Sequence, residues 1–261
     1  MNNTLLVDIS DHIATLTFNR PQVRNAMDYN LMMALKANTE AILENDDVRA
    51  VIIRGAGGAF MAGGDISQFR QNIDSLPQLI TKEAREFHYS ILALRRMAKP
   101  VLAVIEGPCA GAGMSMMAAC DLAIASDNAI FTLAYSNLGA SPDGGSSYFL
   151  PRLVGYRKAL ELAMLPDRFD AATALNLGLV NWVVPQVELA SHVLATAKRL
   201  ANGPTFAFAK TKWLMNQSLD MSLESQLEAE VHAFADCARS SDIREGVMAF
   251  VEKRKPNFTG K

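Results

Sequence analysis

Three stretches of the 261-residue chain place small residues beside groups that can do chemistry. The first is GAGGAFMAGGDISQF at residues 55–69 and the second is GPCAGAGMSMMAACD, which begins at Gly107. Glycine and alanine in such loops remove the bulk that would otherwise keep a ligand away from backbone N–H groups. The second stretch leaves a strand-like VLAVIEG and runs into a helical pattern, and a helix start presents unpaired N–H donors aligned with the helix dipole. Brought together by the fold, the two loops would each give one donor to a single carbonyl oxygen, as stabilisation of an enolate or tetrahedral oxyanion demands. Spacing alone does not show that they converge. An ordinary glycine-rich turn is the other reading of the first loop, which has neither the GxGxxG nor the GK[ST] spacing of nucleotide-binding loops.

The third stretch, GASPDGGSS at residues 139–147, sets Asp143 between Pro142 and the pair Gly144–Gly145. An aspartate on such a tight turn commonly satisfies backbone N–H groups as a turn residue or helix N-cap. Its other role is that of a lone acid carried against a ligand.

The elements that must position these loops read as α/β. LLVDIS and IATLTFN, with DH between them, predict a hairpin of edge strands. NAMDYNLMMALKANTEAILEND is helical in spacing, and VRAVIIRGA is a short buried strand stopped by glycine. Helix KEAREFHYSILALRRMA, strand KPVLAVIEG, short helix AGMSMMAACD and strands within LAIASDNAIFTLA follow, so functional groups fall on strand-to-helix loops. The segment RQNIDSLPQLITKEAR, residues 70–85, reads as a mobile loop because of Pro77 and its mixed composition. From about residue 187 only helical patterns remain, which predicts a core over residues 1–190 and a C-terminal helical region over 191–261.

Composition narrows the class. Half of the residues are apolar and 20% charged, as in a soluble globular chain able to bury a sizeable core. A net charge of −2, from 25 Lys plus Arg against 27 Asp plus Glu, provides no field for nucleic acid or a membrane surface, and no basic stripe suggests otherwise. No apolar run reaches the roughly 18 residues of a spanning helix. MNNTLLVDIS lacks the pattern of a secretory leader, so the expected compartment is the cytoplasm. Cys109, Cys120 and Cys237 form no CxxC pair, which argues for free core thiols rather than disulfides or zinc.

The loops, in this order, resemble the crotonase family, the enoyl-CoA hydratase and isomerase superfamily. The likeness is carried by TLTFNRPQVRNAM, GGAFMAGGDI, VIEGPCAGAGMSMMAACDLAIAS and REGVMAFVEKRKPNF; AGAG, the PDGG of the third loop with its following LPR, and the C-terminal FTGK are most similar to the phenylacetate-degradation isomerase subgroup. The resemblance implies a spiral of repeated ββα units with a C-terminal helical region for trimerisation, often as a dimer of trimers. It implies acyl-CoA thioesters as ligands, with no metal and no cofactor beyond the coenzyme A of the substrate. It places the oxyanion donors on the N–H groups of Gly64 and Ala112, the latter just after Gly111. Substrate and CoA contacts map to Val23, Ala26, Ala62, Asp65, Ile66 and Gly111, and Phe250 and Lys253 would cover the CoA of a neighbouring subunit.

Family hydratases hold water between two glutamates, and the matching positions here are Ser115 and Tyr135. Neither is a base at neutral pH, since a serine hydroxyl needs an activating partner and tyrosine titrates near ~10. Hydration by the two-glutamate route is therefore not expected, and hydratase-type activity by a non-standard site stands as one alternative reading. Asp143 matches a third catalytic position, used as acid-base by family isomerases and as nucleophile by aroyl-CoA dehalogenases. A single carboxylate suffices for isomerisation, and a water-poor pocket is expected to raise its pKa; the methionines of MSMM are compatible with such a wall, although a methionine cluster on a helix is more often plain core. His88 lies near the position of the dehalogenase histidine that activates water, which makes Asp143/His88 hydrolysis the competing reading, although those enzymes have tryptophan where Tyr135 stands. A CoA-binding scaffold without catalysis is the third.

Overall fold

The computed structural model describes residues 3–261; Met1 and Asn2, the start of the segment read for a leader, lie outside them. β1 (Leu5–Ser10) and β2 (Ile13–Phe18) form the expected antiparallel hairpin. Asp11 and His12 join them with φ of 49° and 62°, and two consecutive positive φ angles give a turn whose twist suits paired strands. Only β1 is an edge strand. β2 is interior because it has apolar residues for both faces: Ile13, Ala14, Leu16 and Phe18 are all buried, whereas β1 buries only Leu5.

The remaining strands are β3 (Ala50–Gly55), β4 (Val101–Ile105), β5 (Pro108–Ala110), β6 (Leu122–Ser126), β7 (Ile130–Thr132), β8 (Phe169–Asp170) and β9 (Trp182–Val184). The larger sheet has the order β1-β2-β3-β4-β6-β9 and is parallel after its first pair; the smaller has the order β5-β7-β8. The helices are α1 (Tyr29–Glu44), α2 (Ile66–Gln71), α3 (Leu76–Arg96), α4 (Ala112–Ala119), α5 (Ser146–Val154), α6 (Tyr156–Met164), α7 (Ala171–Asn176), α8 (Gln186–Ala201), α9 (Thr205–Gln217), α10 (Leu223–Ala238) and α11 (Ser241–Val251). The winding is visible in β4, β5 and α4 and again in β6, β7 and α5. Each unit gives its first strand to the larger sheet and its second to the smaller.

Strands buried on both faces need two covering layers. In β3 and β4, Val51, Ile53, Val101, Ala103 and Ile105 join the main core with α1, α3 and α4. The alternate residues Ala50, Ile52, Leu102 and Val104 meet Leu189, Val193, Ala197 and Ala201, a stripe at helical spacing along α8. The residue 190/191 boundary thus falls inside a helix that lies on the sheet. Beyond α8 the regular elements are all helices, and α9 is tied back to the core by Lys212, whose Nζ donates to Leu94 O, Lys99 O and Asp121 Oδ2.

Residues 70–85 are not a long loop. α2 runs to Gln71, a 3₁₀ turn covers Ile73–Ser75 and α3 starts at Leu76. Pro77 sits in the first turn of α3, where a missing N–H removes no helical hydrogen bond, so it starts the helix instead of breaking it. Cys109 and Cys120 are buried, Cys237 is half-buried, and all three are free. No helix among the described residues is long and apolar enough to cross a membrane.

Candidate active site

The first loop is braced from the N-terminal side by residues whose sequence context gave no signal. Asn25 is fully buried and its amide donates to Ala56 O at 2.9 Å and Ala59 O at 2.7 Å. The Arg20 guanidinium bonds Ala26 O and Asp65 Oδ2 and lies 3.2 Å from Asp28. Asp65 also caps α2, accepting from Ser67 N and Oγ. Burial pushes the Asp65 carboxyl up, but the bonds from Ser67 and Arg20 outweigh it and hold the group below its ordinary value. Polar residues tying two distant loops look like any solvated RPxxRN turn until the fold closes.

The two small-residue loops do converge. Phe60 N and Met61 N donate to Pro108 O, and Ala110 N donates to Met61 O at 2.8 Å. A Cβ on Gly111 would stand 3.5 Å from Gly63 Cα, so the backbones touch. Gly64 follows Gly63, and Ala112 is the first residue of α4, whose Gly111 N-cap supplies no side chain. Among the described residues, neither the Gly64 nor the Ala112 N–H has a backbone acceptor. The Phe69 ring lies over Gly64, with Cζ 3.2 Å from where a Cβ would be.

Asp143 is delivered by the segment between β7 and α5. Its Oδ1 lies 2.7 Å from His88 Nε2, on α3, 55 residues away in sequence. The expected water-poor setting is not what the chain alone presents: the two side chains are 40% and 45% exposed. They stand at the mouth of a cleft of about 690 Å³ walled by Ile91, Leu92, Pro142, Tyr148 and Phe149, with Arg95, Arg96 and Asn216 at its polar margin. The MSMM methionines do not line it, since Met114, Met116 and Met117 are packed in the main core.

Ser115 and Tyr135 are drawn to the same turn, but to its backbone. Ser115 Oγ, fully buried, donates to Asp143 O at 2.7 Å and lies 3.0 Å from Tyr135 Oη and 2.5 Å from Ser146 Oγ. Burial, opposed by the Ser115 hydrogen bond, pushes the Tyr135 phenol up to about 12. Ser146, which the sequence did not single out, completes the cluster at the start of α5. Gly144 turns with φ of 62°, and a Cβ there would lie 2.4 Å from Phe87 Cε1 and 2.9 Å from Ser115 Cβ.

The remaining candidates fall into two groups. Val23, Ala26, Ala62, Asp65 and Ile66 share one strip between the 3₁₀ turn Pro21–Val23 and the start of α2, held together by Ala26 N to Val23 O and Ala62 N to Arg24 O. Val23 and Ile66 are exposed there, while Ala26 and Asp65 are buried. Phe250 and Lys253 lie elsewhere, at the end of α11. Phe250 is 85% exposed and lines an apolar groove between α9, α10 and α11 that shares no residue with the Asp143 cleft.

Two backbone N–H groups without backbone acceptors among the described residues, on adjoining loops, and one carboxylate paired with a histidine, are groups of the kind that stabilise an oxyanion and move a proton. Comparison with known proteins agrees with that chemistry. The family model for enoyl-CoA hydratase/isomerase matches residues 8–261. The chain is 33% identical over 264 residues to the 1,2-epoxyphenylacetyl-CoA isomerase of Escherichia coli (strain K12), covering 100% of both. It is 34% identical over 226 residues to a 4-chlorobenzoyl coenzyme A dehalogenase of an Arthrobacter species, covering 86% of this chain and 82% of that one. Its structure superposes on that of an enoyl-CoA hydratase from Polaromonas sp. JS666 with a TM-score of 0.93 at 34% identity, covering 97% and 99% of the two chains.

Proposed function

The chain belongs to the enoyl-CoA hydratase/isomerase family, with its crotonase fold, and from that premise we propose that it is an acyl-CoA isomerase that shifts a double bond with Asp143 as its one acid-base group. The thioester oxygen accepts the N–H groups of Gly64 and Ala112, which have no backbone acceptor among the described residues. Asp143 removes a proton from one carbon of the acyl chain, and the electron pair passes into a dienolate with its charge on that oxygen. The same carboxyl then delivers a proton two carbons away, with exchange against solvent between the two transfers putting deuterium into the product, so the step needs no redox partner or second base. A preorganised oxyanion donor is worth about 3–4 kcal/mol in such chemistry, and a positioned general base about 10²–10⁴ in rate.

The observation that carries this reading over hydration is the use made of Ser115 and Tyr135. Neither is a carboxylate, and both hydroxyls are engaged with each other and with the Asp143 carbonyl. The isomerase relative supports the reading by likeness.

The 2.7 Å contact of His88 with Asp143 favours one second reading, attack by Asp143 on an acyl carbon followed by His88-assisted hydrolysis. The CoA would lie along the strip from Val23 to Ile66. Self-association as a trimer, or a dimer of trimers, would use the apolar face of α10 and α11, where Val231, Phe234, Val247 and Phe250 are exposed. The deciding experiment incubates aliphatic and ring-containing enoyl-CoAs with the protein in D₂O and, separately, in H₂¹⁸O, and follows mass. Deuterium uptake that disappears in Asp143→Asn supports isomerisation. Full exchange in that variant would overturn it, ¹⁸O in a hydrolysed acid would favour the Asp143/His88 reading, and binding with neither change would leave a scaffold.

A further inference from the structure

The two positions where family hydratases would hold water have a different use in this chain. Asp143 O has four donors within reach: Ser115 Oγ at 2.7 Å, Ser146 Oγ at 3.0 Å, Tyr135 Oη at 3.3 Å and Ser146 N at 3.3 Å. A carbonyl offers two lone pairs, so the donors outnumber what one acceptor needs. The surplus is resolved among the hydroxyls themselves, because Ser115 Oγ can accept from Ser146 at 2.5 Å and from Tyr135 at 3.0 Å while donating its only proton to Asp143 O. Every hydroxyl of the cluster is then satisfied without a base or a water.

The cluster is also hard to displace. Ser115 is 0% exposed and Ser146 is 1% exposed, Ser115 belongs to α4 and Ser146 to α5, and the turn between them is wedged against Phe87. Ser115 lies three residues after Ala112 on α4, a rise of about 4.5 Å. The helix that presents one proposed oxyanion donor therefore also grips the peptide group of the proposed acid. The Asp143 side chain, by contrast, has His88 as its only hydrogen-bond partner among the described residues and is 40% exposed.

We propose that Ser115, Ser146 and Tyr135 form a hydroxyl clasp that positions Asp143 through its main-chain carbonyl and fixes the distance between acid and oxyanion donors. They are positioning residues, not catalytic ones, and Ser146 is as much a member as the two that replace glutamates. The clasp rests on the reading of Asp143 as the acid-base group, and Asp143→Asn tests that reading separately.

The test uses the full chain and an enoyl-CoA that it isomerises. Ser115→Ala/Ser146→Ala lowers kcat about tenfold to a hundredfold, the size of effect a misplacement near 1 Å produces. KM stays within about twofold because no clasp residue is on the Val23–Ile66 strip. In ¹⁵N correlation spectra the His88 imidazole signal moves toward its position in Asp143→Asn, a change that loss of general stability does not give. Unchanged kcat together with an unmoved His88 signal in the folded double variant would overturn the clasp while leaving Asp143 in its role. Should the double variant not fold, Tyr135→Phe carries the test: a kcat at least threefold lower at constant KM is expected, and an unchanged kcat overturns the proposal. Full activity in Asp143→Asn would instead overturn the reading on which it rests.

Discussion

Gly144→Ala tests how tightly the third loop is held. Gly144 has φ of 62°, and a methyl group there would meet Phe87 Cε1 at 2.4 Å and Ser115 Cβ at 2.9 Å, both inside contact distance and both buried. The backbone part of the cost, holding an L-residue in the left-handed region, is about 1 kcal/mol. Overpacking against two buried side chains adds about 1–3 kcal/mol. The total of about 2–4 kcal/mol is a large fraction of a stability of about 5–15 kcal/mol and, for a chain of this size, lowers Tm by about 5–15 °C. Gly139→Ala is the internal control, since Gly139 has φ of 71° with nothing within 4 Å of the added carbon. It bears only the backbone part and loses about 2–4 °C. Thermal unfolding followed by circular dichroism on both variants separates the two contributions. Equal Tm losses would refute the packing argument, and with it the picture of a turn wedged between α3 and α4. In the Gly144 variant kcat should also fall by about tenfold or more, because the methyl pushes on the two residues that bracket Asp143.

Other perturbations address the chemistry directly. Ala112→Pro removes one proposed oxyanion N–H at the first residue of α4, where a proline ring is tolerated, so turnover measured by deuterium exchange should fall about 10²–10³-fold with Tm little changed. Asp143→Asn should lower kcat by about 10²–10⁴. The partly exposed His88 pair it alters is worth no more than about 1 kcal/mol, so thermal unfolding should barely move. The Tyr135 phenol, held near 12 against an unfolded value near ~10, contributes stability that is fully present below the unfolded pKa. That contribution is lost as pH rises from about 10 to about 12, because the unfolded chain gives up the proton first. Wild type should accordingly lose Tm faster than Tyr135→Phe across that window in paired melts. His88→Gln should keep deuterium exchange within about tenfold and abolish any hydrolysis, as ¹⁸O incorporation would report.

Much of this architecture was legible because it is written in local pattern. Strands β3 and β4 are short apolar runs bounded by glycine or proline, and α1 and the later part of α3 have helical spacing, so they read correctly. β2 was misplaced at an edge because alternation in IATLTF records only one face, and the second face is filled by α8 from 170 residues away. Pro77 misled because a proline starts or breaks a helix according to what precedes it, and the 3₁₀ turn before α3 carries no clear signal. The oxyanion loops could be suspected from their glycines. Their convergence depends on Ala110 N reaching Met61 O, a contact between segments that no spacing encodes. Arg20, Asn25 and Ser146 were silent for the same reason, since each has a partner on a distant segment: Asp65 Oδ2, Ala59 O and Ser115 Oγ respectively.

The geometry at Asp143 also limits how the carboxylate can work. Oδ1 is taken by His88 Nε2 at 2.7 Å, while Oδ2 has no hydrogen-bond partner among the described residues. On the proposed reading Oδ2 is therefore the atom left to meet a substrate. In proton transfer it picks up and returns a proton while the peptide group stays in its clasp and His88 stays on Oδ1, so nothing in the site has to move. In nucleophilic attack Oδ2 becomes the ester oxygen, and His88 must leave Oδ1 to bring a water to the new ester. The first route uses the arrangement as it stands and the second requires α3 to release its contact. A cluster of three hydroxyls gathered at one carbonyl favours a turn that does not shift during turnover. On physical grounds that is the demand of a carboxyl that must take a proton from one carbon and deliver one to another two positions away.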